Sequence, residues 1–275
     1  MQAVVITGLG QGIGREVATL LARSKVPVAG FDVDKEGIES LNKEFEQAGC
    51  DHLLTTLDIA DRPGILKFRD AVLEKFGRVD VVLSNVGIGF FGPFEEVDLQ
   101  KALKCLEINV IGTAAIFQAF LPSMRENRSG KLIAMSSLVG QIPFPFESIY
   151  TASKFAVEGL VLSIRHEVEP FGIRVALIEP AQVSTSFAAK IHKLPPEGSP
   201  YRERAGRFIK KDEEMIKTAP TPPQAAVRVL KVINAKNPKL FNQVDFKSRV
   251  FLSINKFLPQ GIKDAMLLRT MDIKV

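Results

Sequence analysis

The sequence predicts an α/β fold, a doubly wound parallel sheet with helices on both faces. Three observations carry that expectation. Short runs rich in Val, Ile and Leu recur along the 275 residues, each followed by a longer amphipathic stretch; this is the alternation of parallel strands and crossover helices. Six such runs are largely apolar, so a sheet made from them needs cover on both sides. The first run, Ala3 to Thr7, empties into a cluster of glycines and then into a helical stretch near Arg15, the connection with which such sheets begin.

In order, the expected strands are AVVIT (3–7), VPVAGF (26–31), HLLTTL (52–57), VDVVLS (79–84), KLIAMS (131–136) and IRVALI (173–178). Helical spacing covers about 13–24, 35–48, 62–76, 98–125, 149–170 and 223–236, and right-handed crossovers then fix the double winding. The Pro-rich, charged segment 194–223 is the one long region without a period, which marks a lid or binding loop. One domain results. Residues 1–190 form its dinucleotide-binding and catalytic core; residues 191–275 supply a substrate loop, the last helix and strand, and a C-terminal helical extension.

With 46% apolar and 24% charged residues, the chain has the composition of a soluble protein with a sizeable core. Cys50 and Cys105 make no disulfide framework, so a reducing, cytoplasmic compartment is expected. The opening MQAVVITG reads as a strand and not as a signal peptide, and no uncharged run reads as a membrane span. His52, His166 and His192 are scattered without ligand spacing, so no metal is expected. The formal charge of +5 is uneven: from Lys190 onward 18 Lys/Arg face 8 Asp/Glu, while residues 1–189 hold 18 against 23. The basic tail suits an acidic partner, an anionic membrane surface or plain solvation. No nucleic-acid partner is expected.

Thr7 to Gly14 reads T-G-L-G-Q-G-I-G. Glycines let backbone approach a pyrophosphate, and the helix that follows offers free N–H groups and a positive dipole end. The other reading is a tight turn without a ligand, but four glycines in seven residues are entropically costly for a turn alone. Asp32 ends the second strand eighteen residues past Gly14, where a carboxylate accepts hydrogen bonds from ribose hydroxyls and repels a 2′-phosphate. NAD is favoured over NADP. Asp34 competes for that role. Asp58, after the third strand, faces an adenine amino group or caps the next helix, a role that Asp61 shares.

Tyr150 and Lys154 stand four residues apart in a helical stretch, so phenol and ammonium are neighbours on one face. Such a pair is either surface decoration or an acid/base whose phenol is acidified by the adjacent cation. Together with TGLGQGIG, Asp32, Asp58, SNVG (84–87), INVIG (108–112), MSS (135–137) and PAQVST (180–185), this YTASK stretch makes the chain resemble the short-chain dehydrogenase/reductase family, from about Ala3 to Thr185. The resemblance implies a Rossmann-type fold and hydride transfer between a nicotinamide cofactor and a CH–OH group. It implies that Ser137 holds the substrate oxygen, that Tyr150 exchanges its proton, and that Lys154 holds the nicotinamide ribose and, with help from the cationic oxidised ring, lowers the Tyr150 pKa. Asn109 would anchor a water chain to that lysine. Cofactor contacts carry over to Gly8, Gly10, Gln11, Gly12, Ile13 and Gly14 in the turn. Asp32, Asp58, Ile59, Asn85 and Gly87 would meet the adenosine half and its neighbourhood; Tyr150, Lys154, Pro180, Val183 and Thr185 would meet the nicotinamide half. Val86 and Ala181 depart from the usual Ala and Gly. Dimers or tetramers through helices 98–125 and 149–170 are implied by the same resemblance.

Phenylalanines crowd the segments that should line the substrate pocket, GFFGPF (89–94), PFPF (143–146) and Phe187. Walls with few polar groups select apolar ligands, so the expected substrate is a lipophilic secondary alcohol or ketone of steroid, retinoid or fatty-chain type. Phe144 and Phe146 are the expected contacts. Two rivals stand beside it: a 3-oxoacyl thioester reductase, disfavoured by Asp32, and an NAD-binding interaction module whose catalysis has lapsed. The tail, KLFNQVDF (239–246) followed by residues 249–271, resembles those of hydroxysteroid and retinol dehydrogenases. Its interleaved basic and apolar residues also suit an anionic bilayer.

Overall fold

A computed structural model describes residues 3–184, 187, 191 and 193–274. Seven parallel strands form one sheet: β1 (Val4–Thr7), β2 (Val28–Asp32), β3 (His52–Thr56), β4 (Val81–Ser84), β5 (Gly130–Met135), β6 (Ile173–Glu179) and β7 (Phe241–Gln243). Their order is β3-β2-β1-β4-β5-β6-β7, so the winding reverses between β1 and β4. That reversal opens a crevice at the carboxyl ends of the two strands.

Alternation along each strand sends side chains to opposite faces, and two cores result. Val4, Ile6 and Val28 pack under α1 (Gly12–Arg23), α2 (Lys35–Ala48) and a helix at Pro222–Asn234; Val5, Ala29 and Phe31 pack under α3 (Arg62–Phe76) and the long helices of the other face. The expected helix 98–125 is broken. It runs as α4 (Leu99–Leu106), a π-turn over Glu107–Ile111, and α5 (Gly112–Glu126). Such single π-turns occur frequently at functional sites, and this one carries Asn109. The run Leu99–Glu126 is apolar and long enough to cross a membrane, yet half of its apolar window is buried inside the protein; it is a core helix. α6 (Ser148–Val168) crosses beside it.

Segment 194–223, expected to be irregular, holds α7 (Arg202–Lys217). Its buried residues Ala205, Phe208 and Asp212 recur at helical spacing, but one of the three is charged and the rest of the helix is polar, so the apolar period is faint. The chain then forms α8 (Pro222–Asn234), β7, α9 (Phe246–Asn255) and α10 (Gln260–Thr270). Residues past 190 thus complete the same sheet and build a third cluster over its carboxyl edge, where Phe208, Leu252, Met271 and Ile273 meet Leu138, Phe144 and Tyr150.

Candidate active site

The glycine turn is laced to the neighbouring strand end. Thr7 Oγ1 accepts the backbone N–H groups of Asn85 (3.1 Å) and Val86 (3.2 Å), and Asn85 Nδ2 donates to the Gly8 carbonyl at 2.8 Å. Gly8 and Gly12 sit at φ +71° and +61°, which side chains other than glycine rarely tolerate. A β-carbon on Gly14 would lie 2.2 Å from the Gly8 oxygen, so α1 packs backbone against backbone. Gln11, the N-cap of α1, gives that helix no side-chain hydrogen bond. Main-chain donors and the positive end of the dipole therefore face the crevice, a fit for a pyrophosphate.

Asp32 is nearly buried and lines the cleft at the end of β2. Its Oδ2 accepts from Gly10 N and its Oδ1 from Asp34 N, both at 2.9 Å. Gly10 thus acts through Asp32 and is not itself on the cleft wall. Asp34 is the N-cap of α2, accepting from Gly37 N at 3.0 Å, and does not line the cleft. Asp61 likewise caps α3 through Gly64 N. Asp58 and Ile59 remain on the cleft wall with Gly8, Gln11, Gly12, Ile13, Asn85 and Gly87.

Further along the same cleft lie Ser137, Tyr150 and Lys154. Ser137 follows β5 and caps the short 3₁₀ turn Leu138–Gly140, accepting from Val139 N at 3.4 Å and donating to Pro180 O at 3.5 Å; its hydroxyl works against the rise in the Tyr150 pKa. Ser136 points elsewhere, donating to Glu158 Oε1 at 2.7 Å. Lys154 is buried, donates to Met135 O at 2.9 Å, and holds its ammonium 5.6 Å from the centre of the Tyr150 ring. Asn109 grips this arrangement from across the site. Its Oδ1 accepts from Ile88 N (2.8 Å), while Nδ2 donates to Ile88 O and Ser153 Oγ (2.9 Å each); Ser153 Oγ in turn donates to Tyr150 O at 2.7 Å. The side chain thus pins the loop after β4 to the turn of α6 that carries the tyrosine.

Without a cofactor, burial governs the charges of the pair. Burial pushes the Tyr150 phenol up, and the Glu147 charge adds to the rise; the phenol is protonated here. Lys154 does not offset this, because burial depresses its own pKa to about 8, against which Cys105 and Glu158 push. Desolvation of both partners outweighs their attraction. Behind the lysine, Glu158 and Glu179 are both raised by burial.

Proteins of known sequence and structure decide the lineage. The model of the short chain dehydrogenase family matches residues 2–195. The chain belongs to the short-chain dehydrogenase/reductase family. It is 33% identical over 273 residues to estradiol 17-beta-dehydrogenase 1 of Rattus norvegicus, covering 93% of this chain and 74% of that protein. It is 28% identical over 264 residues to 3-ketodihydrosphingosine reductase of Bacteroides thetaiotaomicron, covering 95% and 94%. A short-chain dehydrogenase from Streptomyces avermitilis has the same fold, with a TM-score of 0.81 at 28% identity over 93% of this chain and 92% of that one. This dehydrogenase/reductase is therefore an oxidoreductase acting on CH–OH groups, and its fold is one that binds a nicotinamide cofactor.

The cleft of this family member has a volume of about 1070 Å³. Pro180, Val183, Phe144 and Phe187 line it; Thr185 lies outside the described residues. Phe146 is not on that wall. It takes φ +65° and stacks on Phe91 and Phe208, each at 5.9 Å between ring centres, so it backs the pocket. Nor is the wall purely apolar. Glu147 and Asp212, both nearly buried, line it with Gln182, whose Nε2 donates to Asp212 Oδ1 at 2.8 Å. Burial and the Asp212 charge raise Glu147 to about 8. The sequence signal for this pair is weak: Glu147 sits three residues before Tyr150, but Asp212 lies on a helix that the pattern did not reveal.

Proposed function

We propose that the protein oxidises or reduces a lipophilic secondary alcohol or ketone of steroid, retinoid or fatty-chain type, with NAD as the hydride carrier. One observation carries this reading: the cleft that holds Asp32 and the glycine turn at one end has Ser137, Tyr150 and Lys154 on its floor and Phe90, Phe144, Phe187 and Ile191 at the other end. Bound there, a dinucleotide would supply the hydride acceptor or donor and, when oxidised, a positive charge.

The remaining work falls to side chains. Ser137, on the cleft wall with Tyr150, holds the substrate oxygen against the phenol. The protonated phenol gives its proton to a carbonyl oxygen in reduction and takes it back in oxidation. Lys154, fixed by Met135 O, stays within reach of a ribose and of the ring. Asn109 and Ser153 hold the backbone of Tyr150 in register. Both oxygens of Asp32 are committed to backbone donors, which keeps a carboxylate where a 2′-phosphate would lie and supports NAD. The names of the rat and Bacteroides relatives, a steroid dehydrogenase and a sphingoid-ketone reductase, support an apolar substrate.

The exposed apolar residues Leu99 and Leu103 on α4, with Phe155 and Leu162 on α6, support a homo-oligomer through these helices, and we place the enzyme in the cytoplasm. The test is turnover of steroid and long-chain ketones with NADH and with NADPH, for the wild type and Tyr150→Phe. Removing the hydroxyl should lower turnover on the order of 10²–10⁴-fold while calorimetric NADH affinity stays unchanged. Equal rates in the two proteins would refute the role of Tyr150.

A further inference from the structure

The last two helices turn an apolar stripe to solvent. α9 buries Ser248 and Leu252, and Leu252 joins the cluster that also holds Phe144 and Tyr150. On its other side Phe246 is 74% exposed, Val250 41%, Ile254 53% and Phe257, just past the helix, 89%. At about 100° per residue these four fall within an arc of roughly 80°. α10 adds exposed Ile262 and Met266.

Between Phe246 and Arg269 the basic residues are Lys247, Arg249, Lys256, Lys263 and Arg269, against a single acid, Asp264. Lys247 flanks the stripe on one side, and Arg249 and Lys256 flank it on the other. Asp245 is engaged as the α9 cap through Ser248 N (2.8 Å) and Oγ (2.6 Å); Lys256 lies over the Phe241 ring at 5.4 Å and also feels a carboxylate, Glu179.

We infer that this face docks on an anionic lipid surface, Phe246, Val250, Ile254 and Phe257 entering the acyl boundary while the flanking lysines and arginines meet phosphate. A second copy of the chain is a poorer occupant, because it would set the same basic flanks against each other. A stripe of large apolar side chains edged by cations matches a helix lying in a membrane interface. Docking this way puts the bilayer on the outer side of α9, whose inner side packs on the substrate cluster, so an apolar substrate dissolved in lipid is close to the cleft. The inference does not depend on which alcohol is turned over.

The experiment is co-sedimentation of the full chain with phosphatidylcholine vesicles, with and without phosphatidylserine. Wild type should bind the serine-containing vesicles only, and raised ionic strength should weaken binding. Phe257→Asp should bind roughly tenfold or more weakly. Lys247→Ala, Arg249→Ala and Lys256→Ala should each weaken binding about fivefold. All four variants should keep the soluble-substrate activity and the circular dichroism of the wild type. Binding no better than to neutral vesicles, or undiminished in Phe257→Asp, overturns the inference. A Phe257→Asp variant that loses oligomeric mass in sedimentation velocity overturns it too, assigning the face to a second copy.

Discussion

Glu147→Gln should remove one of the groups that make folding stability fall as pH rises; Glu158 and Glu179, also raised, stay in both proteins and cancel in the difference between them. In the native chain the Glu147 carboxyl keeps its proton up to about pH 8, against 4.5 for a free glutamate, because it is buried and faces Asp212. Between those values the unfolded chain has released the proton and the native chain has not. The native state therefore binds more protons, and stability falls as pH rises. Each pH unit is worth about 1.4 kcal/mol, so the wild type should lose about 3 kcal/mol from this one group between pH 4.5 and 7, and nearly 5 by pH 8. Glutamine has the same shape, cannot ionise, and can donate to Asp212. The assay is urea unfolding of both proteins at steps from pH 5 to 8. The stability difference in favour of the variant should grow through that window. Lys154 does not confuse the result, since its depressed pKa of about 8 makes its own contribution change above this range. Parallel curves for the two proteins would refute the assignment of a buried, proton-holding Glu147. The same substitution removes a charge that pushes Tyr150 up, so the alkaline limb of the activity profile should move to lower pH.

Gly14→Ala should abolish measurable dinucleotide binding by calorimetry and lower Tm, because the added carbon meets the Gly8 backbone oxygen at 2.2 Å and backbone cannot step aside as a side chain can; unchanged affinity would contradict the cradle. Asp32→Ser should shift the kcat/KM ratio of NADPH to NADH upward by roughly tenfold or more, the equivalent of about 1.4 kcal/mol, as the carboxylate opposing a 2′-phosphate is lost; an unmoved ratio would show that discrimination lies elsewhere. Phe208→Ala should cost about 3–5 kcal/mol in urea unfolding, since Phe208 is fully buried and stacks on Phe91, Phe144 and Phe146.

What was legible in the sequence was whatever depends on short spacing. The turn T-G-L-G-Q-G-I-G must use glycine because its φ values and the contact at Gly14 demand it. Tyr150 and Lys154 share a face because helices repeat. What was not legible depends on contacts far apart in the chain. α7 hides its buried face behind a mostly polar sequence, with Asp212 as one of its three buried residues. That aspartate meets the wall of the cleft only because α7 folds over a turn sixty-five residues earlier. The π-turn around Asn109 interrupts a helical period that reads as continuous, and Thr113 Oγ1 donates to the Asn109 carbonyl within it.

The reversal at Tyr150 has the same origin. Four-residue spacing places an ammonium near a phenol, and in water that would acidify it; enclosure changes the sign. The charged form of Tyr150 loses hydration where Phe208 of α7, Leu252 of α9 and Phe144 pack in its cluster, and that of Lys154 through its own burial; the penalty per buried ion exceeds what a cation 5.6 Å from the ring returns. The free site is thus poised as an acid: a protonated phenol beside a lysine that gives up its proton near pH 8. Under the function proposed above, an oxidised dinucleotide would bring a positive charge that lowers the cost of ionising the phenol, so Tyr150 would serve as base in oxidation and as acid in reduction.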